Sequence, residues 1–152
     1  MPFTFPLQTL LRLRELNEQA ELQTLQSLAA QAAAVRAEIE SLTEATAEQK
    51  RAMCRDSLEG LSGADLQFQT VREAASRQRH SQLAAQLNSL ESARETQQER
   101  YREARKERET LSTLREQHLE AYNQEQLRRT QREMDDTFLI RYTREKRATS
   151  PQ

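Results

Sequence analysis

Three side chains in this sequence are of the kind that take part in nucleophilic or metal chemistry near neutral pH: Cys54, His80 and His118. A catalytic thiol needs a base within hydrogen-bond reach, and a zinc site needs several His, Cys or carboxylate ligands at short spacings. Cys54 has no histidine within a turn or two of helix, and the two histidines lie far apart. Neither H-E-x-x-H nor C-x-x-C occurs. A phosphate loop needs glycines followed by lysine, but the two glycines here, Gly60 and Gly63, sit in "LEGLSGADLQ" with no lysine after them. The expectation is a protein with no catalytic residues, no metal ligands and no cofactor.

The elements that carry these residues are read from composition. Hydrophobic residues make up 36% of the chain, below the roughly 45–50% of an ordinary globular domain, and charged residues reach 31%. That is too little apolar matter for a conventional core. It suffices for a seam between two helices, which needs about two apolar positions in seven. Leu, Ala, Glu, Gln and Arg dominate, all strong helix formers. Charges alternate at short range, as in "ERYREARKERE" (99–109), and sum to −1, so the one-sided basic excess of a nucleic-acid binder is missing. A lone cysteine fits a reducing compartment. No apolar run approaches the ~20 residues of a membrane span, and no charged-then-apolar leader is visible, so a soluble, cytoplasmic protein is expected.

The breakers divide the chain. Prolines stand only at 2, 6 and 151, and both glycines fall within four residues. Between Leu7 and Ser150 only that stretch has to interrupt a helix. The first helix is predicted over about 5–58, with Thr4 as its cap and Pro6 in its first turn. Its seam runs in two interleaved sevens, Leu25–Ala32–Ile39–Thr46–Met53 and Leu28–Val35–Leu42–Gln49. Residues 59–63 are predicted to form the reversal, with both glycines in it. Ser62 followed by Asp65 has the pattern of a capping box. The second helix is predicted over about 63–146, with a seam through Leu83, Leu90, Gln97, Ala104, Leu111 and His118, joined by Leu87, Tyr101 and Leu114, and a disordered tail over 147–152. The fold class is therefore all-α: one domain, an antiparallel two-helix coiled-coil hairpin.

The two helices differ in length. At ~1.5 Å per residue they would span about 78 and 125 Å, and a turn at 60–61 pairs positions whose numbers add up to about 121. Ala45 then falls near Ser76, Gln49 near Arg72, and Leu7 near Leu114. Past roughly residue 116 the second helix has no partner, leaving a long C-terminal overhang. Helix without packing is marginal in water. The overhang holds Tyr122, Met134, Phe138, Leu139, Ile140 and Tyr142 among arginines, with Asp135 and Asp136 interrupting the basic run. It reads either as a solvated helix or as a partner-binding segment. The start, "PFTFPLQTLLRLRE", is richer in apolar residues than a two-helix seam requires. It reads either as a staple closing the open end or as a docking tip.

These two ends carry a resemblance. "FTFPLQTLLRLRELNEQAE" (3–21) is similar to the start of the FliJ family of flagellar type III export components. "LEAYNQEQLRRTQREMDDTFLIRYTREK" (119–146) resembles that family's C-terminal segment. The virulence-secretion counterparts (the SctO/YscO type) belong to the same resemblance. It implies a central stalk whose terminal end enters a hexameric export ATPase. It also implies contact with the FlhA-type export gate, escort of export chaperones, and a cytoplasmic location with peripheral association at the inner membrane. Carried over, the ATPase-facing residues are Phe3, Phe5, Leu7, Leu11, Arg12 and Arg14, with Arg128, Arg132, Asp135, Asp136, Arg141 and Tyr142. The gate-facing residues are Leu42, Ala45, Gln49, Phe68, Arg72, Ala75 and His80. Two rivals come from other classes: a coiled-coil scaffold or tether that self-associates, and a nucleic-acid-associated protein using the basic tail.

Overall fold

The computed structural model describes residues 2–148. It contains two helices, α1 (Gln8–Ser57) and α2 (Gly63–Ala148), and no strand among the described residues. The helices pack against each other antiparallel, giving the all-α hairpin that the seam pattern predicts. Contacts divide the chain into two units: one runs from Leu16 to Ala104, and the other joins the residues up to Glu15 with those from Arg105 onward.

The first unit contains the turn. Leu58 and Glu59 close α1 with N–H bonds to the carbonyls of Arg55 and Asp56 (3.2 and 3.0 Å), and the Ser57 hydroxyl donates to the Cys54 carbonyl at 2.9 Å. Gly60 then takes φ +95°, a conformation that side chains with a Cβ rarely adopt. Gly63 does not share this role. It is the first residue of α2, its φ is not positive, and a Cβ there would meet nothing within 4 Å. So one glycine makes the reversal, not two.

Ser62 caps α2 reciprocally. Its hydroxyl accepts from the Asp65 N–H at 3.3 Å, and the Asp65 carboxylate accepts from the Ser62 N–H at 3.1 Å and from its hydroxyl at 2.6 Å. These two bonds hold the Asp65 carboxyl below its ordinary value, the hydroxyl contributing more than the N–H.

Both interleaved sevens of α1 lie in the seam. Ala32 and Val35 are buried and the other seven positions half-buried, facing Leu83, Leu87, Leu90, Gln97 and Ala104 on α2. Leu83 (1% exposed) is the most completely buried large side chain among the described residues. A seam this narrow collects its stability by repetition, since a fully buried Leu contributes only about 1.5–3 kcal/mol. Toward the turn the layers become polar: Thr46 shares a hydroxyl bond with Ser76 (2.9 Å), and the Gln49 amide donates to Gln69 (2.8 Å). The expected neighbours were Ala45 for Ser76 and Arg72 for Gln49, so these two bonds fall one and three residues to either side of the expected pairing, and Arg14 with Glu107 falls on it. Arg36 with Glu91, and Glu38 with Arg79, flank the seam as exposed ion pairs. Such pairs align the helices more than they stabilise them.

In the second unit α1 starts later than expected. The Phe5 carbonyl accepts the Gln8 N–H at 3.1 Å, closing a turn with Pro6 in its second position, where its fixed φ fits; Thr4 does not act as the cap. Residues 2–5 therefore lie outside the helix. Chain outside a helix can advance up to about 3.3 Å per residue against about 1.5 Å within one, so the segment can reach further along α2 than a helix would. Phe5 packs edge-on against His118 (centroids 5.6 Å apart, 88°) and Phe3 against Tyr122 (5.6 Å, 54°). The intramolecular packing thus runs to Tyr122, beyond the expected residue 116. At the other end, Arg147 and Ala148 are helical, against the expected disordered tail; residues 149–152, Pro151 among them, lie outside the described residues.

Candidate docking surfaces

The residues expected to face an ATPase ring all belong to the unit that joins the two ends of the chain, but they do different things there. Phe5 (7% exposed) and Leu11 (3%) are buried between the N-terminal segment and α2, so their apolar surface is already used. Phe3 is half-buried on Tyr122. Arg14 is tied to Glu107 at 2.5 Å. Of that N-terminal set, Leu7 and Arg12 remain exposed, joined by Leu10 and Leu13. The reading of this end as a staple is the better one for Phe3, Phe5 and Leu11, since a leucine or phenylalanine under water-excluding contact cannot dock elsewhere without opening the seam.

On α2 every residue from Leu127 to Arg147 is exposed. Arg128, Arg132, Asp135, Asp136, Arg141 and Tyr142 all lie in this stretch. So do large apolar side chains that ordinary surfaces seldom show so openly: Leu127 (70%), Met134 (67%) and Phe138 (69%), with Leu139 and Ile140. Local side-chain bonds run along the segment. Thr130, Thr137 and Thr143 return their hydroxyls to the carbonyls of Gln126, Glu133 and Leu139 (3.0, 2.7 and 2.9 Å). Arg129 pairs with Glu125 at 3.2 Å, Phe138 stacks on Tyr142 (6.4 Å, 12°), and the Lys146 ammonium lies 5.5 Å from the Tyr142 ring. Thr130, Glu133, Met134, Thr137, Phe138 and Arg141 line a shallow, open groove on one flank. Nearer the paired region, Glu109 accepts from Arg105 at 2.7 Å, and this bond, helped by the charges of Arg105 and Arg108, holds its carboxyl low.

The seven residues expected at the export gate fall within the other unit and differ in exposure. Leu42 and His80 line a groove of about 310 Å³ with Thr43, Thr46, Ala47, Lys50, Ser76 and Arg77. Phe68 is exposed, with the Arg72 guanidinium 5.6 Å from its ring centre, and Ala75 is exposed too. Gln49 is half-buried in the polar seam, and Ala45 opens onto an adjoining depression with Ser41, Glu44 and Glu48, which shares Ala47 with the Leu42–His80 groove. Sequence reading overlooked Leu58, Leu66 and Val71, which are exposed around the turn. The signal was present for two of them: Leu58 and Val71 are apolar residues standing off the heptad positions, whereas Leu66 stands on the heptad of Leu87 and Tyr101. Cys54 is exposed and reduced, and His80 is exposed as well.

Among the described residues no helix is long and apolar enough to cross a membrane. In comparisons with known proteins, the family profile described as Flagellar FliJ protein matches residues 3–147. Neither a curated protein nor a solved structure matches the chain.

Proposed function

Since the chain belongs to the FliJ family of non-catalytic flagellar protein-export components, we infer that it serves that apparatus as a stalk, docking its terminal end into the ring of the export ATPase. The observation that carries this reading is the stretch Leu127–Arg147, a helix along which every residue, apolar and charged alike, is exposed. Apolar side chains there can pack against the inner wall of a ring, while Arg128, Arg132, Asp135, Asp136 and Arg141 follow charges lining it. Leu7, Leu10 and Arg12 add exposed surface in the same unit. A single asymmetric helix pair in a symmetric ring biases ring assembly and the order of nucleotide turnover. The exposed residues around the turn, Phe68 with Arg72 and the Leu42–His80 groove, are the candidates for contact with the export gate. Escort of export chaperones and a cytoplasmic location, held peripherally at the inner membrane, complete the reading.

Titrating the protein into its export ATPase tests it. Hexamer formation and turnover should rise and saturate at about one chain per ring, a ratio set by ring closure. Removing residues 127–152 spares His118 and Tyr122, so the packing of Phe3 and Phe5 is kept. This truncation should abolish the stimulation while the helical circular dichroism of the rest persists. Stimulation equal to that of the intact chain would exclude this segment as the docking element.

A further inference from the structure

The exposed part of α2 is self-complementary, and we propose that it forms an antiparallel pair with a second copy of the same segment. Leu127, Gln131, Met134 and Phe138 recur at spacings of four, three and four, which sets them on one stripe of the helix. At about 100° per residue this stripe is turned roughly 140–160° from Tyr122, so it faces away from the N-terminal segment and is free to receive a second helix. Its three apolar members are the exposed Leu127, Met134 and Phe138 described above.

The charges beside the stripe name the occupant and its direction. Arg128 and Asp135 stand seven apart on the same flank, and neither has an ion-pair partner among the described residues. In an antiparallel pair, equivalent flanks meet. With the two-fold axis beside residues 132 and 133, Leu127 of one copy lies against Phe138 of the other, and Gln131 lies against Met134. In that register Arg128 of each copy meets Asp135 of the other, so two ion pairs form from groups that have none in the single chain. Thr130 and Thr137 face each other on the opposite flank. A parallel pair brings together flanking positions five apart: Arg128 would meet Asn123 and Asp135 would meet Thr130, leaving both charges unanswered. The antiparallel copy is the arrangement that satisfies them.

This pairing is independent of the stalk reading, although both draw on Arg128 and Asp135, so a paired segment could not occupy a ring. Sedimentation equilibrium of the full chain, reduced and at low salt, over about 1–300 µM, should show a reversible dimer; short two-helix contacts of this kind are weak. Arg128→Asp and Asp135→Arg should each weaken it about tenfold or more, because two attractions become two repulsions. An equimolar mixture of the two variants should dimerise again, since each now carries the charge that the other lacks. Both changes lie on solvent-exposed helix, and unchanged circular dichroism confirms that folding is intact. A chain that stays monomeric throughout overturns the proposal. So does a dimer indifferent to both changes, or a mixture that associates no better than either variant alone.

Discussion

The Gln97 side chain donates to the backbone carbonyl of Glu21 at 3.1 Å and also to the Glu21 carboxylate, although Gln97 is 95% shielded from water within a seam of Leu, Val and Ala. A buried amide in such a seam has one place where its bonds are made. Sliding the helices by a turn would strand it, at a cost of about 1–3 kcal/mol. Gln97 therefore fixes the alignment of the unit that contains the turn. Gln97→Leu should raise the midpoint of urea unfolding, yet allow shifted registers, seen as additional cysteine cross-links between α1 and α2. Gln97→Ala should lower the midpoint without new cross-links. A single, unchanged cross-link pattern in Gln97→Leu would assign the register to the flanking ion pairs instead.

The two glycines should respond differently to the same substitution. Gly60→Ala forces a Cβ onto a backbone with φ +95° and should cost about 1–3 kcal/mol in urea denaturation. Gly63→Ala meets open space at the first position of α2 and should be neutral or stabilising by up to about 1 kcal/mol. Equal losses at both sites would mean that the reversal is built differently.

Acid should remove the cap of α2. The Asp65 carboxyl is held below its ordinary value, so it contributes stability above the unfolded pKa near 3.8, and that contribution is lost as pH falls through the lower folded value. The stability difference between the native chain and Asp65→Asn, measured by unfolding at a series of pH values, should be constant near neutrality and shrink below about pH 3.8. A difference that persists to strong acid would rule out the carboxylate as the acceptor.

Amide hydrogen exchange should report the boundary set by the N-terminal segment. Residues 83–111 and the turn of α2 under Phe3 and Phe5 should be protected in dilute solution, and residues beyond Leu127 should exchange fast. Phe5→Ser should extend fast exchange back through His118. Uniform protection along α2 of a confirmed monomer would show that the exposed stretch is covered by this chain itself.

Most of this protein was legible one helix at a time. Period, breakers and caps act over a few residues, so the heptads Leu25–Met53 and Leu28–Gln49, the turn, and the Ser62–Asp65 box follow from residue order. So does the exposure of the segment past Leu127, because helix length counts residues and the second helix is simply longer. The family resemblance rested on the two ends of the chain, and the profile match over residues 3–147 bears it out. Tertiary structure decided what depends on two segments at once. The exact partner of Thr46 or Gln49 depends on the turn geometry and on where Gln97 finds its bonds, to a precision that a rule of equal rise cannot reach. Whether Phe5 docks outward or packs inward depends on the non-helical segment before α1, which brings its ring against His118, and the burial of Leu11 depends on how the two helices meet. Between the two readings left open for this end, staple and docking tip, that packing favours the staple for Phe3, Phe5 and Leu11, and it leaves the exposed helix beyond as the surface still to be filled.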